Sequence, residues 1–175
     1  MAAGSQQRRA SHAPTSGEND DGGQRQMRQI SAIIAMLAVV GLAIAGYLAY
    51  GHYNENALVC TVGDCGTVQK SEYSTIGQIP VALLGMGMFL AVGALATLRV
   101  IGSRLLPFAV AITLSWIMLL SGVAYYVYLT YLELQVIEAI CQWCVLSSIV
   151  TLAMFLLESR LFWKHVFNAD DLERV

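Results

Sequence analysis

Long uncharged stretches alternate with short charged ones along this chain. Between Arg28 and Glu55 lie 26 residues without Asp, Glu, Lys or Arg; between Glu72 and Arg99 lie 26; between Arg104 and Glu133, 28; between Glu138 and Glu158, 19. About 20 apolar residues rising 1.5 Å each cross the ~30 Å hydrocarbon core of a bilayer, so each gap can hold one spanning helix. The pattern predicts helices over 29–51, 78–98, 106–130 and 139–160, with 73–78 left as loop. No polar stripe runs along any of the four, which argues against a soluble helical core. The predicted fold class is an all-α integral membrane protein, a four-transmembrane-helix bundle with an extracytoplasmic loop between helices 1 and 2.

Composition strengthens this picture. The 175 residues are 57% hydrophobic and 13% charged, about half the charge of an ordinary soluble domain. A net charge of −2 excludes a protein that works by neutralising nucleic-acid phosphates. HExxH, GxxxxGK[ST] and GxGxxG signatures are absent. The stretch 1–28 is polar and offers little to bury, so it reads as a disordered cytoplasmic tail, with 29–160 as the membrane domain and 161–175 as a cytoplasmic C-terminal tail. Ala43-Ile44-Ala45 resembles a signal-peptide cleavage site, but the apolar run continues to Tyr50, which favours a retained helix.

The basic residues orient the bundle. With both termini on one side, Arg8, Arg9, Arg25, Arg28, Arg99, Arg104, Arg160, Lys164 and Arg174 fall on that side and only Lys70 on the other. By the positive-inside rule the termini and the 99–105 turn are cytoplasmic, and the 52–77 and 131–138 connections face outward. Arg outnumbers Lys eight to two, which tilts the expected location towards a bacterial inner membrane.

All four cysteines fall on the outward side. Cys60 and Cys65 lie in the first outer loop as Cys-Thr-Val-Gly-Asp-Cys, where Gly63 and Asp64 supply a turn that lets two sulfurs approach. Cys141 and Cys144 form Cys-Gln-Trp-Cys at the start of the fourth helix. Helical i and i+3 positions hold their Cβ atoms roughly 5–6 Å apart, wider than the ~3.8 Å a disulfide prefers, so such a pair closes only with local adjustment and opens readily. A Cys141 in the first helical turn faces free N–H groups and the positive end of the helix dipole, which favour its thiolate. Cys144 lies one turn deeper, within reach of a lipid-soluble oxidant. Two other readings use the same sulfurs: a pair of inert structural bridges, or a four-thiolate zinc site.

Several other residues have both a functional and a packing reading. Trp116, Trp143, Tyr125, Tyr126, Tyr128 and Tyr131 could line a ring pocket or form an interfacial belt. Gly41, Gly46, Gly85 and Gly87 read as close helix-contact points. Glu133 and Glu138 mark helix ends, with proton delivery as the functional alternative.

The ordered set of features resembles the vitamin K epoxide reductase family over roughly residues 30–160. The elements carrying the resemblance are the Cys60 and Cys65 pair after helix one, Ser71, Glu72-Tyr73-Ser74, Gly77-Gln78-Ile79-Pro80 followed by Leu83-Leu84-Gly85, and Cys141-Gln-Trp-Cys144 opening helix four. The resemblance implies an electron relay that ends on a quinone, either ubiquinone, menaquinone or a vitamin K form. Carried over by position, Cys60 corresponds to the sulfur that meets a thioredoxin-fold partner protein, Cys65 to the one that exchanges with Cys141, and Cys144 to the quinone-facing cysteine, with Ser71 the polar residue near it. A bacterial-type homologue without a fused thioredoxin-like domain is implied, so the partner is expected to be a separate protein. Animal members place an Asn in helix two and Thr-Tyr-Ala after the CxxC; here those stretches read Val81-Ala82 and Ser147-Ser148-Ile149, which argues against vitamin K epoxide as the natural substrate. A DsbB-type quinone-linked oxidase would place both cysteine pairs in outer loops instead.

Overall fold

The structure, a computed structural model, describes residues 16–54, 58–102 and 106–173. Four long helices dominate: α1 (Ser16–Tyr53), α3 (Val81–Ile101), α4 (Phe108–Leu132) and α5 (Gln142–Glu173). A short helix α2 (Cys65–Lys70), one 3₁₀ turn (Glu72–Ser74) and a minimal antiparallel hairpin, β1 (Thr75–Ile76) with β2 (Ile79–Pro80), fill the connection between α1 and α3. All four long helices are long and apolar enough to cross a membrane. The protein is an integral membrane helical bundle.

Local sequence sets the helix boundaries. Pro80 and Pro107 immediately precede α3 and α4, where a residue without an N–H costs nothing and the preceding backbone is held extended. Gly102 ends α3 in a left-handed conformation (φ 71°), its N–H turned back to the carbonyls of Arg99 and Leu98. Observed helices two and three begin two to three residues later than their charge gaps predict, because those prolines fix their starts. The hairpin replaces most of the expected 73–78 loop.

Helix extends into both expected tails. Helix α1 starts at Ser16, so 16–28 continue the first span, and α5 runs to Glu173, well past 160. Once an apolar segment has nucleated a helix, each added residue gains a backbone hydrogen bond at little further cost. Contacts also tie these extensions down: Arg28 donates to the Val100 carbonyl at 3.2 Å and Lys164 to Gln26 at 2.9 Å. Residues 1–15 of the expected N-terminal tail lie outside the described residues.

The helices pack in the cyclic order α1, α3, α4, α5 and back to α1. Their shared core includes Ile34, Ala38, Phe89, Val92, Ala96, Ile112, Leu119, Met154 and Leu161. Outer faces carry exposed Met36, Val39, Leu90, Ile117, Val127, Ile149 and Leu156, while Ser31, Ser115, Ser147, Thr151 and Glu158 are buried. This is the distribution of a bundle solvated by lipid. Gly41 lets α1 and α3 approach, since a Cβ there would run into the Phe89 ring, and Gly85 faces Ala45. Gly46 and Gly87 do not: neither has a neighbour where its Cβ would stand.

Arg99 on α3 and Glu158 on α5 form a buried ion pair (2.8 Å) with a second contact at 3.2 Å; their side chains are 3% and 0% exposed. Glu158 lies about 24 Å along α5 from Gln142 at the helical rise of 1.5 Å per residue. The pair therefore belongs to the end of the bundle opposite the cysteines, where Arg28 and Lys164 also make their contacts.

Candidate functional site

All four cysteines come together at one end of the bundle. Cys60 and Cys65 form a disulfide with Cα atoms 6.1 Å apart, and Cys141 and Cys144 are free thiols. Cys65 and Cys141 belong to the buried core of the bundle, and Cys60, Cys144, Leu58, Val68 and Trp143 pack against it. Cys60 is half-buried, whereas Cys65 is buried where it opens α2. Asp64 caps that short helix, accepting from the Thr67 N–H at 3.0 Å and its hydroxyl at 2.6 Å. Those hydrogen bonds, the hydroxyl first, hold the Asp64 carboxyl below its ordinary range. The second sulfur of the loop pair is thus set on a capped helix and not on free loop.

Residues on either side of Cys141 hold the loop against it. Gly63 pairs with Cys141 in an isolated antiparallel bridge, and the Asp64 N–H donates to the Ile140 carbonyl at 3.0 Å. Gly63 has φ 81°, and a Cβ there would overlap the Ile140 oxygen, so glycine alone fits. The Gln142 side-chain oxygen accepts from the Thr61 hydroxyl (2.9 Å) and from the Val62 N–H (3.0 Å), while its amide donates to the Val59 carbonyl at 3.3 Å. The Trp143 indole donates to the same carbonyl at 3.0 Å. Tyr47 of α1 accepts from the Val59 N–H at 2.9 Å and meets Trp143 edge to face, with ring centroids 5.0 Å apart. Both residues between the cysteines of the CxxC are therefore loop anchors. Gln142 and Tyr47 escaped the sequence reading, because an amide or phenol at a helix end carries no pattern of its own.

Cys141 stands one residue before α5 and not within its first turn. Its carbonyl accepts from the Val145 N–H at 3.1 Å, which makes it the capping residue of the helix. The Cys144 thiol and the N–H groups of Cys144 and Trp143 hydrogen-bond to its sulfur; led by the Cys144 thiol, they pull the Cys141 thiol below its ordinary range against the effect of burial.

Beside Cys144 a small cavity of about 70 Å³ opens among all four long helices and the loop. Ala45, Leu48, Val81, Ala82 and Leu129 give it apolar walls, and Ser71, Tyr126, Glu133, Ser147 and Cys144 supply its polar groups. Tyr126 and Ser147 share a 2.6 Å hydrogen bond. Ser71 is at the rim and its hydroxyl donates to the Val68 carbonyl at 2.7 Å.

The aromatic candidates divide. Tyr126 lines this cavity, and Tyr125 lines an adjoining groove between α3 and α4. Tyr128 and Tyr131 are exposed on the outer face, as an interfacial belt requires. Trp116 stacks on Phe162 (4.9 Å) and donates to Ser159 at 3.1 Å, so it packs α4 on α5 outside the cavity. Among the described residues no group of three or more His, Cys, Asp or Glu is placed to hold a metal ion. The disulfide removes two of the four thiolates the zinc alternative needs.

A membrane bundle that clamps a disulfide loop onto a pair of free thiols falls in a class, the integral membrane oxidoreductases. Within it the chain belongs to the vitamin K epoxide reductase family, whose model matches residues 32–159. Membership makes it a membrane oxidoreductase of the disulfide and quinone kind, from a family that generally uses quinone as electron acceptor. A comparison with curated proteins gives no match.

Proposed function

We propose that the protein reoxidises a separate extracytoplasmic thioredoxin-fold protein and passes the electrons to a membrane quinone, supporting disulfide formation. The observation that carries this reading is the clamp: Gly63 bridged to Cys141, with Gln142 and Trp143 gripping the loop on either side of Cys60. It keeps an oxidised pair and a reduced pair at one end of the bundle, the arrangement a two-stage relay requires.

Half-buried Cys60 is the sulfur a partner thiolate attacks. Buried Cys65 then exchanges with Cys141, whose depressed thiol is suited to act as attacking or leaving thiolate. Cys144 faces the cavity and hands on the electron pair, with Ser71 at the rim as a positioning group for the acceptor. When bound, the quinone takes up two electrons and two protons. Val81 and Ala82 in the cavity wall offer no side-chain donor, which favours a plain quinone ring over an epoxide. The expected orientation puts the cysteine end outside a bacterial inner membrane, where disulfides persist.

The test mixes purified protein with a reduced thioredoxin-fold protein and either ubiquinone or menaquinone, and follows quinone absorbance. Catalytic loss of the oxidised quinone together with oxidation of the partner is expected. Exchange with the partner but no quinone reduction would refute the acceptor assignment.

A further inference from the structure

Glu133 is the one carboxylate lining the Cys144 cavity, and no Lys, Arg or His lines that cavity among the described residues. It is only 6% exposed. It opens a π-helical segment (Glu133–Ile137) that ends at Glu138 in a left-handed conformation (φ 53°). The N–H groups of Glu138 and Ala139 both turn back to the Glu133 carbonyl, the latter at 3.2 Å. This tight return brings the chain to Cys141 only a few residues later. The Glu133 side chain and the Cys144 thiol thereby line one and the same cavity. Such π segments recur at functional sites.

A buried carboxylate without a basic partner is costly unless it exchanges a proton. Here the group facing it is a sulfur that must gain and lose one. Resting on the relay above, we infer that Glu133 is the proton store of Cys144. When an incoming thiolate opens the Cys141–Cys144 disulfide at Cys141, the S–S bond breaks, Cys144 leaves with its electron pair, and Glu133 gives it a proton. The second thiolate of the incoming pair then bonds to the first, breaking the mixed disulfide and releasing Cys141 as a thiolate; when the inner disulfide forms again, that thiolate bonds to the Cys144 sulfur and Glu133 takes the Cys144 proton back. The two electrons released go to the quinone, whose two protons come from solvent. The other titratable groups facing Glu133 are Cys141 and Cys144 from α5 and its approach, Tyr126 on its own helix, and Tyr73 from the loop. Helices α1 and α3 present only Ala45, Leu48, Val81, Ala82 and Gly85 to the cavity.

The two halves of the cycle need opposite forms of Glu133, which gives the test its signature. In protein lacking the loop pair (Cys60→Ala, Cys65→Ala), opening of the inner disulfide by a small dithiol is timed by mass-tagging the thiols, without quinone. Reoxidation of the reduced protein by a short-chain ubiquinone is timed separately, both across pH. Opening should lose its advantage over Glu133→Gln as pH rises, and reoxidation should lose it as pH falls. Glu133→Gln should be slower by roughly 10²-fold where each form of Glu133 matters, the low end for general acid–base catalysis. Glu133→Asp should recover part of both limbs. A Gln variant as fast as wild type, or one slowed equally in both halves at every pH, overturns the inference. If wild type shows the opening limb but no quinone reoxidises it, the quinone reading fails while the Glu133 role stands.

Discussion

The Trp143 indole N–H and the Val59 carbonyl are joined at 3.0 Å, which ties a residue in the middle of the CxxC to the loop just before Cys60. The Gln142 amide reaches the same carbonyl at 3.3 Å. Each is a neutral, solvent-accessible hydrogen bond worth about 0.5–1.5 kcal/mol, so their main effect is on loop placement and not on global stability. Trp143→Phe and Gln142→Ala should each lower the melting temperature only slightly. The double variant should slow transfer between the loop pair and the inner pair, while a small dithiol still reduces Cys141–Cys144 at the wild-type rate. Thiol tagging followed by peptide mass mapping separates the two rates.

Gly63 offers a sharper probe of the same clamp. Any Cβ at φ 81° in contact with the Ile140 oxygen forces the bridge to Cys141 apart. A strained non-glycine backbone of this kind costs about 1–3 kcal/mol. Gly63→Ala should therefore leave the four-helix bundle folded, keep partner exchange at Cys60, and lose most electron transfer to the inner pair. Unchanged overall turnover would show that the bridge is not needed for transfer.

The four spans were legible in the charge gaps because lipid solvation imposes one requirement on every spanning helix, and the prolines before α3 and α4 only shifted their starts. Spacing and resemblance singled out the four cysteines and Ser71, and the structure brings the two pairs to one end of the bundle with Ser71 lining the Cys144 cavity. Arg99 and Glu158 were read as charges bounding their gaps, yet they are buried partners. Hydropathy counts a charge without knowing what faces it. Glu133 was similarly read as a helix end, with proton delivery only an alternative, because the π segment that turns its carboxyl inward has no sequence pattern.

The ion pair between Arg99 and Glu158 makes a separate prediction about stability. Removing one partner leaves a buried charge without compensation, which costs about 3–5 kcal/mol. Glu158→Gln should thus cause a marked fall in the thermal unfolding midpoint in detergent. Replacing both residues together with apolar side chains (Arg99→Met, Glu158→Leu) should recover most of the loss. Both proteins should keep a normal Cys60–Cys65 disulfide, since the pair is at the opposite end of the bundle. Equal loss in the single and double variants would mean that the pair does more than neutralise itself.

Cys141 sets the pH behaviour of the reduced protein. Its thiol is held below its ordinary range by the Cys144 thiol and the backbone N–H groups at the start of α5. A depressed folded-state value contributes stability that is fully present above the unfolded value and is lost as pH falls through the folded one. Reduced wild type should therefore gain stability over Cys141→Ser as pH rises through that window and lose the advantage in acid. Melting curves of both proteins across pH, under a reductant active throughout, measure it. A constant difference at all pH values would place Cys141 as a neutral thiol.

The cysteine variants test the order of the relay. Thiol–disulfide exchange passes through a mixed disulfide, so deleting the resolving sulfur traps the step it completes. Cys65→Ala should accumulate a Cys60–partner adduct, visible on a non-reducing gel, because half-buried Cys60 remains open to attack and its resolving sulfur is gone. Cys144→Ala should still exchange with the partner but lose quinone reduction, even with a small reductant that bypasses the loop, because the thiol lining the cavity is missing. Cys60→Ala should retain substantial quinone reduction under that small reductant, since Cys141 and Cys144 remain paired. The opposite outcome, with Cys144→Ala still turning over quinone and Cys60→Ala inactive with every reductant, would put the acceptor at the loop pair and reverse the order of the relay.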